Sequence, residues 1–241
     1  MTPAQLAANE TVRFITGRMK LKRARILDLG CGRGELAALL MELGAEVAAL
    51  DKSEEAVLSA RELGVPAICS DFLEFEGGRY DLIVCSRVLH HLSPLREALP
   101  HAAMLLAPGG GLVVEDFAFE DADRTSLTWF YGVERLLLGA GCLSDTLTSR
   151  ADLADPVARW HAHQREYDVT SGTAMLEALV ETFDLEAEAR DAYLYRYAAA
   201  KLPADDNGAE MAAALIDWER ALIATQAIAP VGVRWIARPK P

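Results

Sequence analysis

Cationic side chains are scarce in this chain: 24 lysines and arginines stand against 36 aspartates and glutamates, a formal net charge of −12 over 241 residues. No dense Lys/Arg run offsets that balance, so long-range electrostatics oppose a polyanionic partner, and nucleic acid is not expected as one. Cysteine is sparse as well. Cys31, Cys69, Cys85 and Cys142 are scattered without CxxC spacing, and three of them sit in or beside apolar strand-like runs, which predicts reduced core residues. No apolar run approaches the roughly 18 residues of a membrane span. Glu10, Arg13, Arg18 and Lys20 interrupt every apolar stretch near the N-terminus, unlike a signal peptide, so a cytoplasmic protein with no membrane partner is expected. No internal repeat is present, and no low-complexity tract beyond richness in alanine.

What the chain does have is 51% hydrophobic content, enough at this length to bury one substantial α/β core. Strand and helix patterns alternate. Strands are predicted near 25–30, 46–50, 66–69, 80–85 and 111–117, with helices near 34–43, 54–63 and 95–107 between them, which implies a parallel sheet with helices on both faces. Gly44, Gly64 with Pro66, and the run from Pro108 to Gly111 follow the three helices where stop signals belong. Residues 2–20 carry helical spacing and precede the first strand as a covering helix. Later elements are predicted as a helix at 171–183, a strand at 189–197, a helix at 209–227 and a final strand at 231–238. The expected organisation is one enlarged domain over 1–241: a covering segment 1–24, a core 25–117, a helical insertion 118–168, and 169–241 completing the sheet with a further helical insertion near 209–227.

The most specific stretch is Ile26 to Ala37, ILDLGCGRGELA, in which an apolar strand stops at Asp28 and glycines follow at positions 30, 32 and 34. A turn without Cβ atoms lets the backbone adopt positive φ and approach a ligand closely. The dinucleotide fingerprint GxGxxG needs glycine at position 35, where this chain has Glu35, so an NAD-dependent oxidoreductase is the disfavoured reading.

DLGCGRG resembles motif I of the class I methyltransferases that use S-adenosylmethionine (SAM). The resemblance continues through LDKS at 50–53, CSDF at 69–72, YDLIVCSRVLHHL at 80–92 and LLAPGGGLVVEDF at 105–117, roughly the first half of the chain, and is nearest to the small-molecule methyltransferases of quinone and biotin biosynthesis. It implies a Rossmann-like, doubly wound, mostly parallel seven-stranded sheet with an antiparallel edge strand and helical insertions. It also implies SAM as cofactor, S-adenosylhomocysteine as product and a small organic acceptor; a homodimer is compatible with it. A non-catalytic SAM-binding partner or regulatory module would carry the same motifs.

Residue by residue, the resemblance assigns the methionine end of SAM to Asp28 and the Gly30, Cys31, Gly32 and Gly34 turn, with exposed turn N–H groups suiting the carboxylate and Asp28 the ammonium. Asp51 is placed to accept the ribose hydroxyls, or else to cap the following helix, a job Ser53 can also do. Lys52 lays its stem along the adenine edge or is solvated. Asp71 accepts from the adenine amine and Phe72 meets the ring, the plain alternatives being a loop acid and a core residue. Ser86, in the turn from Cys85 to Arg87, faces the same crevice. His90 and His91 are candidates for a general base, or one of them holds the next helix.

No metal is predicted: the stretch from Cys85 to Val88 lacks the carboxylate of magnesium-dependent catechol enzymes, and His161 and His163 are spaced i, i+2, off a common helical face. The same stretch lacks the Asn/Asp-Pro-Pro-Tyr/Phe of nucleic-acid amino-methylases. Trp129, Phe130, Tyr131 and Trp160 of the insertion either roof the acceptor or pack as core, with Arg135 or Arg165 available to an acidic group. LLLGAGCL at 136–143 is too short for a membrane span and is expected to pack inward.

Overall fold

The computed structural model describes residues Met1–Pro241. Helix α1 (Pro3–Thr16) leads into β1 (Arg25–Leu29), α2 (Glu35–Glu42), β2 (Glu46–Asp51), α3 (Glu54–Glu62), β3 (Ala67–Cys69) and β4 (Tyr80–Ser86). A 3-10 turn, Leu89–His91, and α4 (Leu95–Leu105) then lead to β5 (Leu106–Phe117), followed by α5 (Arg124–Gly139), α6 (Pro156–Glu166) and α7 (Gly172–Thr182). The chain closes with β6 (Phe183–Asp191), α8 (Tyr195–Ala199), α9 (Asp206–Ala224) and β7 (Gly232–Pro239). Helix ends follow the expected chemistry. Ser53 caps α3 by accepting the Ala56 N–H, and Gly44 and Gly64 take positive φ, 86° and 79°, just past α2 and α3.

One seven-stranded sheet has the order β3-β2-β1-β4-β5-β7-β6. Its first five strands pair in parallel, with Asp28 opposite Ala49 and Val84, and Ser86 opposite Glu115. The last strand runs the other way. The Ala118 N–H bonds Val231 while a Cβ on Gly111 would face Ala237, so β7 descends as β5 ascends. Similarly the Lys240 N–H bonds Thr182 while Gly232 lies against Asp191, so β7 and β6 form the antiparallel pair at one edge. This is the Rossmann-like, doubly wound arrangement the motif order implied.

The sixth strand lies earlier than expected, over Phe183–Asp191 instead of 189–197. Phe183, Leu185 and Ala187 alternate with Asp184, Glu186 and Glu188, a half-exposed edge strand whose charges guard the open side. The aromatic run that suggested a strand has another fate. Glu219, fully buried on α9, accepts the N–H groups of Tyr193, Leu194 and Tyr195 at 2.8, 2.9 and 2.9 Å, which bends that segment into the start of α8. Three consecutive N–H groups on one carboxylate are incompatible with a strand, whose successive N–H groups point to opposite sides.

Backbone contacts divide the chain into two units. One comprises Ala8–Asp116, Gly172–Ala189 and Val233–Pro241, with a core that includes Ile15, Ile26, Leu40, Val84, Val113 and Ile236. The other comprises Met1–Ala7, Phe117–Ser171 and Arg190–Gly232, around Phe117, Phe130, Trp160, Tyr193, Leu194 and Ile216. Residues 118–168 form the expected helical segment, α5 and α6, and the helix foreseen near 209–227 is α9. No helix is long and apolar enough to cross a membrane.

Candidate active site

In the sheet unit the strand order reverses between β1 and β4, the place where open parallel sheets present a crevice at their C-terminal ends. Asp28 and Leu29 end β1, Asp51 ends β2 and Ser86 ends β4, while Asp116 lies at the end of β5. Four elements thus deliver polar side chains to one rim.

The three glycines of the turn do different jobs. A Cβ on Gly30 would lie 2.4 Å from Val88 Cγ2, and one on Gly34 would lie 2.8 Å from the Cβ of Ala60 on α3, so both glycines allow close packing of the turn. Gly32, at φ +54°, has nothing within 4 Å of its would-be Cβ and opens onto space. The expected row of free N–H donors is not there. Gly30 and Cys31 both donate to the Leu50 carbonyl, at 2.8 and 2.9 Å, Gly32 donates to Asp51 Oδ2 at 2.9 Å, and Gly34 donates to the Cys31 carbonyl at 3.0 Å. The end of the neighbouring strand β2 supplies the Leu50 carbonyl and the Asp51 carboxylate, and the turn itself supplies the Cys31 carbonyl.

Beneath the turn Asp28 is 1% exposed, and its Oδ2 has no hydrogen-bond partner. Burial, and after it the charge of Asp51, push its pKa up to about 7, against the pull of Arg87. An unpartnered carboxylate oxygen at such depth is costly unless a donor or cation arrives. Cys31, also buried, has its thiol pushed up to about 12 by burial and then by Asp28 and Asp51, which makes it packing and not a nucleophile.

Asp51 is half-buried, with Oδ2 on the Gly32 N–H and Oδ1 on the Ser53 N–H, both at 2.9 Å. A carboxylate has about four acceptor positions, so two remain. Ser53 performs the capping and Asp51 does not, as Ala56 bonds Ser53. Lys52 is exposed. Asp71 is exposed and accepts the Leu73 N–H at 2.9 Å in a turn, while Phe72 is buried and packs edge-on against His101, ring centroids 5.0 Å apart. The ring of Phe72 is therefore a core wall. Ser86 Oγ donates to Glu115 Oε2 at 3.3 Å; Thr11 Oγ1 donates to the same oxygen, and Arg234 grips Oε1 at 2.8 and 3.0 Å. That network ties α1, β4, β5 and β7 together behind the rim.

His90 is 6% exposed and joined at two points to Asp116, which is fully buried. Its ring Nδ1 lies 2.6 Å from Asp116 Oδ1, and its backbone N–H donates to Oδ2 at 3.2 Å. Sequence reading named the histidine and missed the aspartate. The available signal was two consecutive acids, Glu115 and Asp116, at the end of an otherwise apolar strand. His91 is different: its ring stacks at a tilt on His90, centroids 4.0 Å apart, and desolvation with the His90 neighbour pushes its pKa down to about 4. Arg87, which ends the turn named in the sequence, has φ +59° and donates its N–H to the Glu115 carbonyl at 2.7 Å, a left-handed residue held by the neighbouring strand.

In the second unit Tyr131 is buried, 8% exposed, with its hydroxyl accepting from Thr148 at 3.2 Å and its ring under the Arg159 guanidinium at 4.2 Å. It packs in the core of this unit, one of the two readings the sequence left open. Phe130 and Trp160 are core too. Trp129 is half-buried and meets Trp218 edge-on at 5.6 Å, and Arg135 is exposed. In the stretch 136–143, Leu136 is 63% exposed whereas Leu137 and Leu143 pack inward.

Ubiquinone biosynthesis O-methyltransferases are among the relatives: that of Xanthomonas oryzae pv. oryzae is 32% identical over 108 residues, 41% of this chain and 45% of that protein. That of Coxiella burnetii is 31% identical over 120 residues, 46% of this chain and 51% of its own length. The chain thus spans about half the length of the curated relatives it matches. Among solved structures, an S-adenosylmethionine-dependent methyltransferase from Mesorhizobium loti superposes with a TM-score of 0.58 at 19% identity, over 95% of this chain and 96% of that one. An N-methyltransferase from Bradyrhizobium japonicum, solved with S-adenosyl-L-homocysteine, gives 0.54 at 14% identity over 98% and 86%. At such identities these structures share the fold. A family model described as methyltransferase domain matches residues 4–155, well over half of the chain. With the strand order, the glycine turn and the acidic rim in the same frame, the chain belongs to the methyltransferase-domain family.

Proposed function

We propose that this protein transfers the methyl group of SAM to a small organic acceptor. The observation that carries the reading is the unpartnered, buried Asp28 Oδ2 beneath a turn whose middle glycine opens onto space. Those features fit the cofactor: Asp28 suits the ammonium of its methionine end, the open face of Gly32 leaves room for the chain, the two unused acceptor positions of Asp51 suit the ribose diol, and exposed Asp71 suits the adenine amine. Lys52 flanks the same edge. Ser86, held by Glu115, and Cys31 complete the wall. When bound, SAM supplies a methyl already activated on a sulfonium. The chain's own residues then have to hold an acceptor in line, keep water away and take up a proton where the acceptor carries one. His90 is assigned that last task.

The reading includes a single enlarged domain, a cytoplasmic setting and no nucleic-acid partner, the last of these supported by the acidic balance of the chain. Calorimetry with SAM, its demethylated product and NAD tests it. SAM and the product should bind and NAD should not. NAD binding without SAM binding would end the proposal, and SAM binding with no transfer of labelled methyl to any O, N, C or S acceptor would favour a non-catalytic binding module.

A pH profile adds a sharper expectation. Because the pKa of Asp28 is raised to about 7, the free protein holds a proton there at mildly acidic pH, and an incoming ammonium must displace it. SAM affinity should therefore rise with pH from 5.5, by up to about tenfold per unit, and level off above 7. The stability of the free protein should move oppositely. A carboxyl raised in the folded state favours folding below about pH 4 and progressively loses that contribution as pH climbs to 7. Asp28→Asn should weaken SAM binding and flatten both profiles.

A further inference from the structure

Helices α5 and α9 lie in the second unit and run in opposite directions. Ser126, in the first turn of α5, accepts the N–H of Ala229 just beyond α9 at 2.8 Å, while Trp129 meets Trp218 edge-on further along both helices. Their inner faces share one core, with Leu127, Phe130 and Leu137 from α5 and Ala212, Leu215 and Ile216 from α9. The outer faces carry apolar surface as well. Leu136 is 63% exposed and Trp218 46%, and the positions beside them are small: Gly132 on α5, which has nothing within 4 Å of its would-be Cβ, and exposed Ala214 and Ala221 on α9. Exposed aromatic and aliphatic surface bordered by charges has the composition of an interface.

Charge indicates what covers this face, because the two helices divide the signs between them. The one acid of α5, Glu134, is buried on Arg159, whereas Arg124 and Arg135 are exposed; Arg124 reaches Asp155 at 2.6 Å and Arg135 has no partner. On α9 the exposed charges are acids. Glu210 and Asp217 have no partner, exposed Asp206 holds the terminal amine of Met1, and the one cation, Arg220, turns to Asp191 at 2.8 and 3.0 Å. A second copy related by a two-fold axis presents the same face reversed, so that α5 of each copy lies on α9 of the other and cation meets acid twice. We infer that the chain forms a two-fold dimer through the α5/α9 face, with Trp218 and Leu136 at its apolar centre and Arg135 of each copy facing the acids of α9 in the other. At 16 and 19 residues the helices are about 24 and 28 Å long and each about 10 Å across. A face of about 500 Å² in projection stands at the lower end of specific interfaces, and a Kd of the order of micromolar is expected. A membrane fits this face less well, since the acids of α9 and the net charge of −12 oppose anionic headgroups.

Sedimentation velocity of the full chain from about 1 to about 200 µM, without SAM, tests the inference separately from the methyltransferase reading. The sedimenting species should pass from one chain of 26.2 kDa to two as concentration rises. Trp218→Asp and Leu136→Asp should each raise the dimer Kd about 100-fold or more. Both positions are exposed, so circular dichroism should be unchanged, and either variant serves if the other fails to fold. Arg135→Glu alone and Asp217→Lys alone should each weaken the dimer about tenfold, because like charges then face each other twice. An equimolar mixture of these two variants should regain nearly the wild-type affinity: in the mixed dimer the introduced glutamate meets the introduced lysine, and the unchanged arginine meets the unchanged aspartate. A single-chain species throughout the range would overturn the proposal. So would a dimer indifferent to Trp218→Asp and Leu136→Asp, or a mixture no tighter than either charge variant alone. Flotation with neutral phosphatidylcholine vesicles in place of self-association would give the face to a membrane and overturn it too.

Discussion

Replacing Gly32 with valine should raise the Kd for SAM more than 100-fold while the chain remains folded. A factor of 100 is about 2.7 kcal/mol, roughly the cost of forcing a branched side chain into volume that the ligand needs. The structural cost is smaller. Nothing lies within 4 Å of the would-be Cβ, so valine meets no neighbour there and adds mainly the strain of φ +54°, about 1–2 kcal/mol for a residue with a Cβ. A domain with some 5–15 kcal/mol of stability absorbs that. Gly30→Ala and Gly34→Ala make the opposite contrast. Their methyls would enter at 2.4 Å from Val88 and 2.8 Å from Ala60, so stability should fall more than in Gly32→Val. Calorimetry beside urea unfolding separates the two behaviours, and a Gly32→Val protein that binds SAM as tightly as wild type would remove the turn from the binding site.

Arg159→Met should destabilise the protein by about 3–5 kcal/mol. Arg159 and Glu134 are 7% and 2% exposed and meet through two parallel hydrogen bonds of 2.7 and 2.9 Å. The guanidinium also donates to the carbonyls of Thr148 and Ser149 at 3.1 and 3.3 Å and covers the ring of Tyr131. Glu134 Oε2 accepts the Leu147 N–H at 2.6 Å as well, so this pair fastens the connection between α5 and α6 from inside. Methionine fills much of the space but leaves Glu134 as a buried, unpaired carboxylate, and that is the origin of the cost. The double variant Glu134→Gln/Arg159→Met should recover most of the loss, because the amide carries no charge and can still accept the Leu147 N–H. Urea midpoints measure both. A single variant as stable as wild type would show that the pair is open to water.

The legible part of this protein is local. Asp28, Gly30, Gly32, Gly34, Asp51 and Ser53 lie in short strand-turn-helix units, where apolar runs, positive-φ glycines and caps are set by neighbours within a few residues, and their placement matches the sequence reading. Two errors came from contacts made at a distance. The segment from Tyr193 to Tyr197 has the aromatic composition of a strand, yet Glu219, some 25 residues away, takes three of its N–H groups and turns it into a helix. The turn N–H groups look free in sequence, yet Leu50 and Asp51 occupy them because β2 lies beside β1.

By itself, then, the sequence determined the alternation of strands and helices, the glycine turn and the acids at the strand ends, since each depends on periodicity and steric freedom over a dozen residues. Tertiary structure alone decided which acids are paired and which are not. Asp116 became the partner of His90, Asp28 kept an oxygen without one, and Tyr131 went into a core, because burial and hydrogen-bond partners are properties of neighbours in space that strand pairing and helix packing bring together.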